Sequence, residues 1–145
     1  DILSAFCAEK VEFLLVGAYA LAAHGLPRAT GDIDIWVRSN EENSLRIMRA
    51  LMQFGAPLIG VTVEDFRSPG IVFQIGVAPR RIDILTVIDG IEFSEAWPDR
   101  IEIEVEGLKV PVLSREHLLR NKRASGRPKD LADVSWLEDE DKKQL

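Results

Sequence analysis

Within its first 37 residues the chain changes hydrophobic period twice, and few architectures accept that order. Residues 11–16 form a compact apolar run that reads as a buried strand and stops at Gly17. Residues 18–24 are rich in alanine and leucine, good helix formers, and Gly25-Leu26-Pro27 ends them, so a small buried helix is expected. Ile33, Ile35 and Val37 then alternate with Asp32, Asp34 and Trp36, the period-two pattern of a strand with one apolar face. A strand, a glycine, a buried helix and a second strand in this order point to helices packed on a sheet.

The remaining segments fit that frame. Leu3, Phe6, Cys7 and Lys10 suggest a short N-terminal helix. Ser39 with Glu42 predicts a capping box for a helix carrying Leu45, Met48, Leu51 and Met52 up to Gly55. The stretch from Ala56-Pro57 to Pro69-Gly70 is the least periodic. Residues 71–77 and 81–87 read as two strands joined through Ala78-Pro79-Arg80, and residues 101–106 and 110–112 as a second hairpin around Gly107. Ser114 is expected to cap a helix through Ala124, stapled by Leu113 and Leu118, and Pro128 to open a last helix through Leu137, with the mostly charged final eight residues frayed. The expected fold is α/β (α+β), a mixed sheet flanked by helices, in one domain over residues 1–145 with residues 114–137 as its C-terminal helical portion.

Composition narrows the function classes. With 46% hydrophobic and 29% charged residues the chain is neither disordered nor low in complexity. No apolar run approaches the ~20 residues of a membrane span, and no basic segment precedes one, so no membrane partner is expected. The single cysteine, Cys7, excludes an internal disulfide and a cysteine-rich zinc site and suits a reducing cytoplasm. The chain opens on Asp1 rather than Met, which suggests a short leader absent from this sequence. Net charge is −6, against a broadly basic nucleic-acid binder. Even so, residues 115–129 carry six basic side chains and one acid, whereas residues 92–106 carry six acids and one arginine, so a local anion site is compatible with the sequence.

The chemistry concentrates on three aspartates. Asp32 and Asp34 leave the same face of a strand with Cα atoms ~7 Å apart, and Ile33 and Ile35 anchor that strand from the other face. Such hard oxygen donors suit Mg²⁺ or Mn²⁺. Asp83, in the apolar strand Arg81-Ile82-Asp83-Ile84-Leu85, is costly there unless paired or bound to a cation, and is the candidate third ligand. Two ions ~4 Å apart could activate an attacking hydroxyl and stabilise leaving pyrophosphate. Gly17 lets the backbone approach a ligand, and the N–H groups of Ala18 and Tyr19 at the following helix start would face phosphate.

With Val16-Gly17-Ala18, Asp32-Ile33-Asp34 and Asp83 in this order, the sequence resembles the small bacterial nucleotidyltransferases of the DNA polymerase β superfamily, including minimal nucleotidyltransferases and AbiEii-like toxins. The lead-in Arg28-Ala29-Thr30-Gly31-Asp32 and the C-terminal Lys122, Arg127 and Lys129-Asp130-Leu131-Ala132-Asp133 extend the likeness over most of the chain. The resemblance implies that Asp32, Asp34 and Asp83 hold divalent metal and act catalytically, with Asp83 helping to activate the acceptor hydroxyl. It implies that Gly17, Ala18, Tyr19, Arg28, Thr30, Lys122, Arg127 and Lys129 contact the nucleotide, with Asp130 as an additional site residue. The implied reaction moves an NMP from an NTP to a hydroxyl of RNA (tRNA included), protein or a small molecule, in a toxin–antitoxin or phage-defence setting with an antitoxin as partner. Ala18 departs from the family's Ser or Gly and removes one side-chain contact to phosphate, a loss of ~1.5–3 kcal/mol.

Plainer readings stand beside these. A catalytically silent nucleotide- or partner-binding module, or a metal-dependent phosphohydrolase, would use the same residues. Arg80 and Arg81 could neutralise Asp83 in a structural ion pair. Arg28 and Thr30 could shape a turn, and Lys122, Arg127 and Lys129 a solvated helix face, the reading preferred for Arg115, Arg120 and Arg123. Asp130 could serve the last helix's dipole with Asp133 facing water. Trp36 is expected in the core rather than on a base, Cys7 as a small buried hydrophobe, and His24 and His117 have no catalytic or zinc role.

Overall fold

The computed structural model describes residues 1–26, 31–70, 72–76 and 80–143. A six-stranded sheet is ordered β3-β4-β2-β1-β6-β5, with β1 at Phe13–Val16, β2 at Ile33–Val37, β3 at Val72–Ile75, β4 at Ile82–Leu85, β5 at Ile101–Val105 and β6 at Leu108–Val112. It is mixed: β2 runs parallel to β4 and β1 parallel to β6, while β1–β2, β3–β4 and β5–β6 are antiparallel. Every residue of β1 is buried, as a continuous apolar run in a central strand requires. Edge strand β5 alternates half-buried Ile and Val with exposed Glu102 and Glu104, and such charges discourage pairing with another sheet. Glu106 and Gly107, both at positive φ, form the two-residue turn between β5 and β6, a conformation glycine adopts without steric cost.

The helices are α1 (Ile2–Ala8), α2 (Gly17–Ala23), α3 (Glu41–Phe54), α4 (Phe93–Ala96), α5 (Arg115–Ser125) and α6 (Pro128–Lys143). Helix α1 packs on α3, and α5 on α6. The core gathers Phe6, Phe13, Leu14, Leu15, Ile35, Ile47, Leu51 and Ile84 into one buried cluster. Trp36 belongs to it, edge-on to Phe93 with ring centroids 5.0 Å apart. No helix among the described residues is long and apolar enough to cross a membrane.

Several expectations are corrected. Helix α3 is capped by Asn40, whose side chain accepts from the N–H of Asn43, and not by a box between Ser39 and Glu42. Its inner face is Asn43, Ser44, Ile47, Ala50 and Leu51, while Leu45 and Met52 are exposed. The reason is polar: Asn43 exchanges hydrogen bonds with both backbone groups of Glu12 and donates to the carbonyl of Arg38, satisfying backbone at one end of β1 and β2. Cys7 is only partly buried. Helix α6 continues six residues past Leu137, because Arg115 donates to the Leu137 carbonyl at 2.7 Å and pairs with Asp141, and Arg123 pairs with Glu138. Arg115 thus departs from the solvated reading and ties α5 to α6, while Arg120 and Arg123 are exposed as expected and carry surface ion pairs with Glu95 and Glu138.

Candidate active site

The site is built where β1, β2 and β4 lie side by side. Val16, the last residue of β1, is opposite Asp34 in β2, and Asp34 is directly opposite Asp83 in the parallel strand β4. Parallel register sends the side chains of opposed residues to the same face, so these two carboxylates meet at hydrogen-bonding range. Gly17 starts α2 with φ +64°, and a β-carbon there would lie 2.2 Å from Asp34 Oδ2. The chain can therefore pass from β1 into α2 beside the acids only with glycine at this point.

One arginine organises the acids. Arg81 Nε and Nη2 donate to Asp83 Oδ1 and Oδ2 at 2.8 and 3.0 Å, a bidentate pair, and its backbone N–H donates to Asp32 Oδ1 at 2.7 Å. Asp34 is raised to about 6 by burial and by the charge and hydrogen bond of Asp83, with Asp32 adding to this and Arg81 opposing it. Among the described residues no three acidic, histidine or cysteine side chains already stand as a metal cluster: Asp34 and Asp83 converge, while Asp32 is held by the Arg81 backbone. The donor set nevertheless fits a hard dication, since it is all oxygen and a cation would relieve the burial and like-charge crowding that raise Asp34.

The C-terminal helices supply the cations. Lys122 of α5 is buried and contacts Asp130 at 3.1 Å and Asp133 at 3.2 Å. Asp130 also accepts from Ser125 Oγ at 2.5 Å and from Arg127 Nε at 2.7 Å. Burial alone would raise the Asp130 carboxyl, but these hydrogen bonds and the Lys122 charge outweigh it and hold it at about 2. Lys122 is thus no solvated residue, and Asp133, expected to face water, is buried. Arg127 and Lys129 are exposed at the cleft, Arg127 with its Nε on Asp130.

An open cleft of about 720 Å³ gathers Gly17, Ala18, Asp32, Asp34, Asp83, Lys122, Arg127, Lys129 and Asp130, nine of the residues singled out by sequence. Tyr19 is not among its lining residues, and Arg28 and Thr30 lie outside the described residues. Arg81, which the sequence offers only as a neutraliser of Asp83, and Leu21 and Leu85, which it does not single out, also line the cleft. The signal was present for Arg81, because an Arg-x-Asp on a strand puts both side chains on one face. A smaller cavity of about 230 Å³ adjoins, sharing Gly17, Asp34, Lys122 and Asp130 and adding Val87, Asp89, Asn121 and Ser125. His24 and His117 are structural: His24 Nε2 contacts the Leu113 carbonyl at 2.9 Å, and His117 is buried facing Asp99.

A family model described as nucleotidyl transferase AbiEii toxin, type IV TA system, matches residues 1–144. The chain belongs to this AbiEii nucleotidyltransferase family. Solved structures share the fold. A candidate nucleotidyltransferase from Thermotoga maritima superposes with TM-score 0.59 at 21% identity, covering 95% of this chain and 89% of that one. An antigenic nucleotidyltransferase-like protein from Paracoccidioides brasiliensis gives 0.54 at 14% identity, covering 94% and 71%. Among curated proteins nothing matches. The AbiEii assignment agrees with the expected resemblance, and the mixed sheet flanked by helices is the fold of these neighbours.

Proposed function

We propose that this AbiEii-family chain is a cytoplasmic enzyme that transfers a nucleoside monophosphate from an NTP to a hydroxyl acceptor. The observation that carries the reading is the in-register pair Asp34–Asp83 beside Gly17, in a cleft also lined by Lys122, Arg127 and Lys129. Asp32, Asp34 and Asp83 would hold Mg²⁺ or Mn²⁺, which when bound would polarise the phosphate and stabilise leaving pyrophosphate. Exposed Arg127 and Lys129 bind phosphate oxygens, and the backbone at Gly17 and Ala18 admits the phosphates closely. Asp83 accepts the proton of the acceptor hydroxyl as its oxygen bonds to the α-phosphorus and the bond to the β-phosphate oxygen breaks. Because Arg115, Arg120 and Arg123 are engaged in ion pairs, an RNA acceptor such as tRNA would rely on the cleft itself rather than on an extended basic track. An antitoxin protein is the partner that the family's setting supplies.

One structural fact favours a second reading, a silent nucleotide-binding module: both Asp83 oxygens are held by Arg81. Calorimetry with each NTP, with and without Mg²⁺, followed by Asp32→Ala, separates the two. Transfer requires cation-dependent binding that the substitution weakens, and label from an α-³²P NTP retained on RNA or protein. Metal-independent binding untouched by Asp32→Ala would leave only the silent module, and label released solely as free NMP would indicate hydrolysis.

A further inference from the structure

Arg81 stands at the junction of the three acids. Its side chain takes both oxygens of Asp83 and its backbone holds Asp32, while Asp34 faces Asp83 from the next strand. We propose that Arg81 is a resident counter-ion of the metal site: a divalent cation gains Asp83 only when the guanidinium releases it, so Arg81 sets the cation concentration at which the cleft becomes competent. This rests on the metal-dependent reading above.

The sign of the effect follows from what positions Asp83. If Arg81 were needed to aim the carboxylate, removing it would weaken metal binding. Strand β4 is, however, hydrogen-bonded on both sides, with Asp83 opposite Asp34 in β2 and Gln74 in β3, so the sheet already fixes its backbone. The Asp83 side chain is 11% exposed and that of Arg81 35%, so the acid is held in place while the guanidinium borders the open cleft and has space to withdraw. What the arginine contributes to a dication is then chiefly competition and like-charge repulsion. The backbone bond to Asp32 survives Arg81→Gln and Arg81→Lys, so these substitutions change the side-chain grip on Asp83 and the positive charge facing Asp34 and Asp32, and leave the hold on Asp32 in place.

The test is Mn²⁺ titration of the full chain followed by electron paramagnetic resonance, without nucleotide, on wild type, Arg81→Gln, Arg81→Lys and Asp83→Asn. Circular dichroism checks the fold. Arg81→Gln is expected to bind Mn²⁺ about fivefold tighter, the scale of a part-exposed ion pair. Arg81→Lys, which keeps the charge but not the two-pronged grip, should tighten about twofold and decides the matter if the glutamine variant fails to fold. Asp83→Asn should lose most of the binding. Equal or weaker binding in the Arg81 variants, with binding still lost in Asp83→Asn, overturns the counter-ion role and leaves the metal reading standing. No Mn²⁺ bound by any form, wild type included, overturns both.

Discussion

Oδ2 of Asp34 occupies the space that a β-carbon on Gly17 would need, with 2.2 Å between them. The backbone at Gly17, φ +64°, also costs any other residue roughly 1–2 kcal/mol. Gly17→Ala therefore carries two penalties, strain in the turn and displacement of the Asp34 carboxylate, which the proposed function places in catalysis. We expect melting to fall by a few degrees and nucleotide transfer to fall about a hundredfold, the scale of a misplacement near 1 Å. Wild-type turnover in this variant, measured with α-³²P NTP, would show that the position of Asp34 is unimportant.

Asp34→Asn should separate activity from stability. In wild type, burial and the neighbouring acids make the charged form of Asp34 unfavourable, and an amide of the same shape removes that charge. The expected outcome at neutral pH in EDTA is a variant at least as stable as wild type, by up to about 2 kcal/mol in urea unfolding, with transfer abolished. A marked loss of stability would mean that Asp34 is held by favourable contacts instead of by crowding.

Much of this site could be read from local pattern. Gly17, Asp32 and Asp34 announce themselves through the change from apolar run to alternation, and Asp83 through its cost inside an apolar strand. What the pattern could not supply was pairing. That β4 lies parallel to β2 with Asp83 opposite Asp34 depends on non-local strand order, as does the arrival of α5 and α6 beside the end of β1 at Val16. Helix surfaces misled for the same reason. Asp133 and Lys122 look solvated in sequence but are buried because they satisfy each other, and Leu45 looks buried but is exposed because the polar Asn43 takes the inner face.

The acid–base cluster of the C-terminal helices should appear in acid unfolding. Asp130 has a folded value of about 2 against an ordinary 3.8. A lowered carboxyl stabilises the fold above its unfolded value and loses that contribution as pH falls toward its folded value, here between about 4 and 2. The contribution at pH 7 is about 2 kcal/mol. Asp130→Asn should be less stable than wild type by about 2–4 kcal/mol at pH 7, since Lys122 also loses one of its two partners, and the gap should narrow at pH 2.5. Urea unfolding at both pH values checks this. A gap independent of pH would remove the role assigned to the Asp130 charge.

The end of α6 offers a test away from the cleft. Residues after Leu137 are charged and would fray alone, yet Arg115, at the first turn of α5, donates to the Leu137 carbonyl and pairs with Asp141 one turn further on. At 24% exposure its side chain makes charge-assisted bonds in a partly shielded setting, worth about 1–2 kcal/mol together. Arg115→Ala should therefore speed hydrogen exchange of the amides in residues 138–143 about tenfold. Amides around Leu14 in β1, fixed by the central sheet, should exchange as in wild type. Equal exchange of the α6 end in both proteins would show that the helix persists without this tether, leaving its length to the Arg123–Glu138 pair and local propensity.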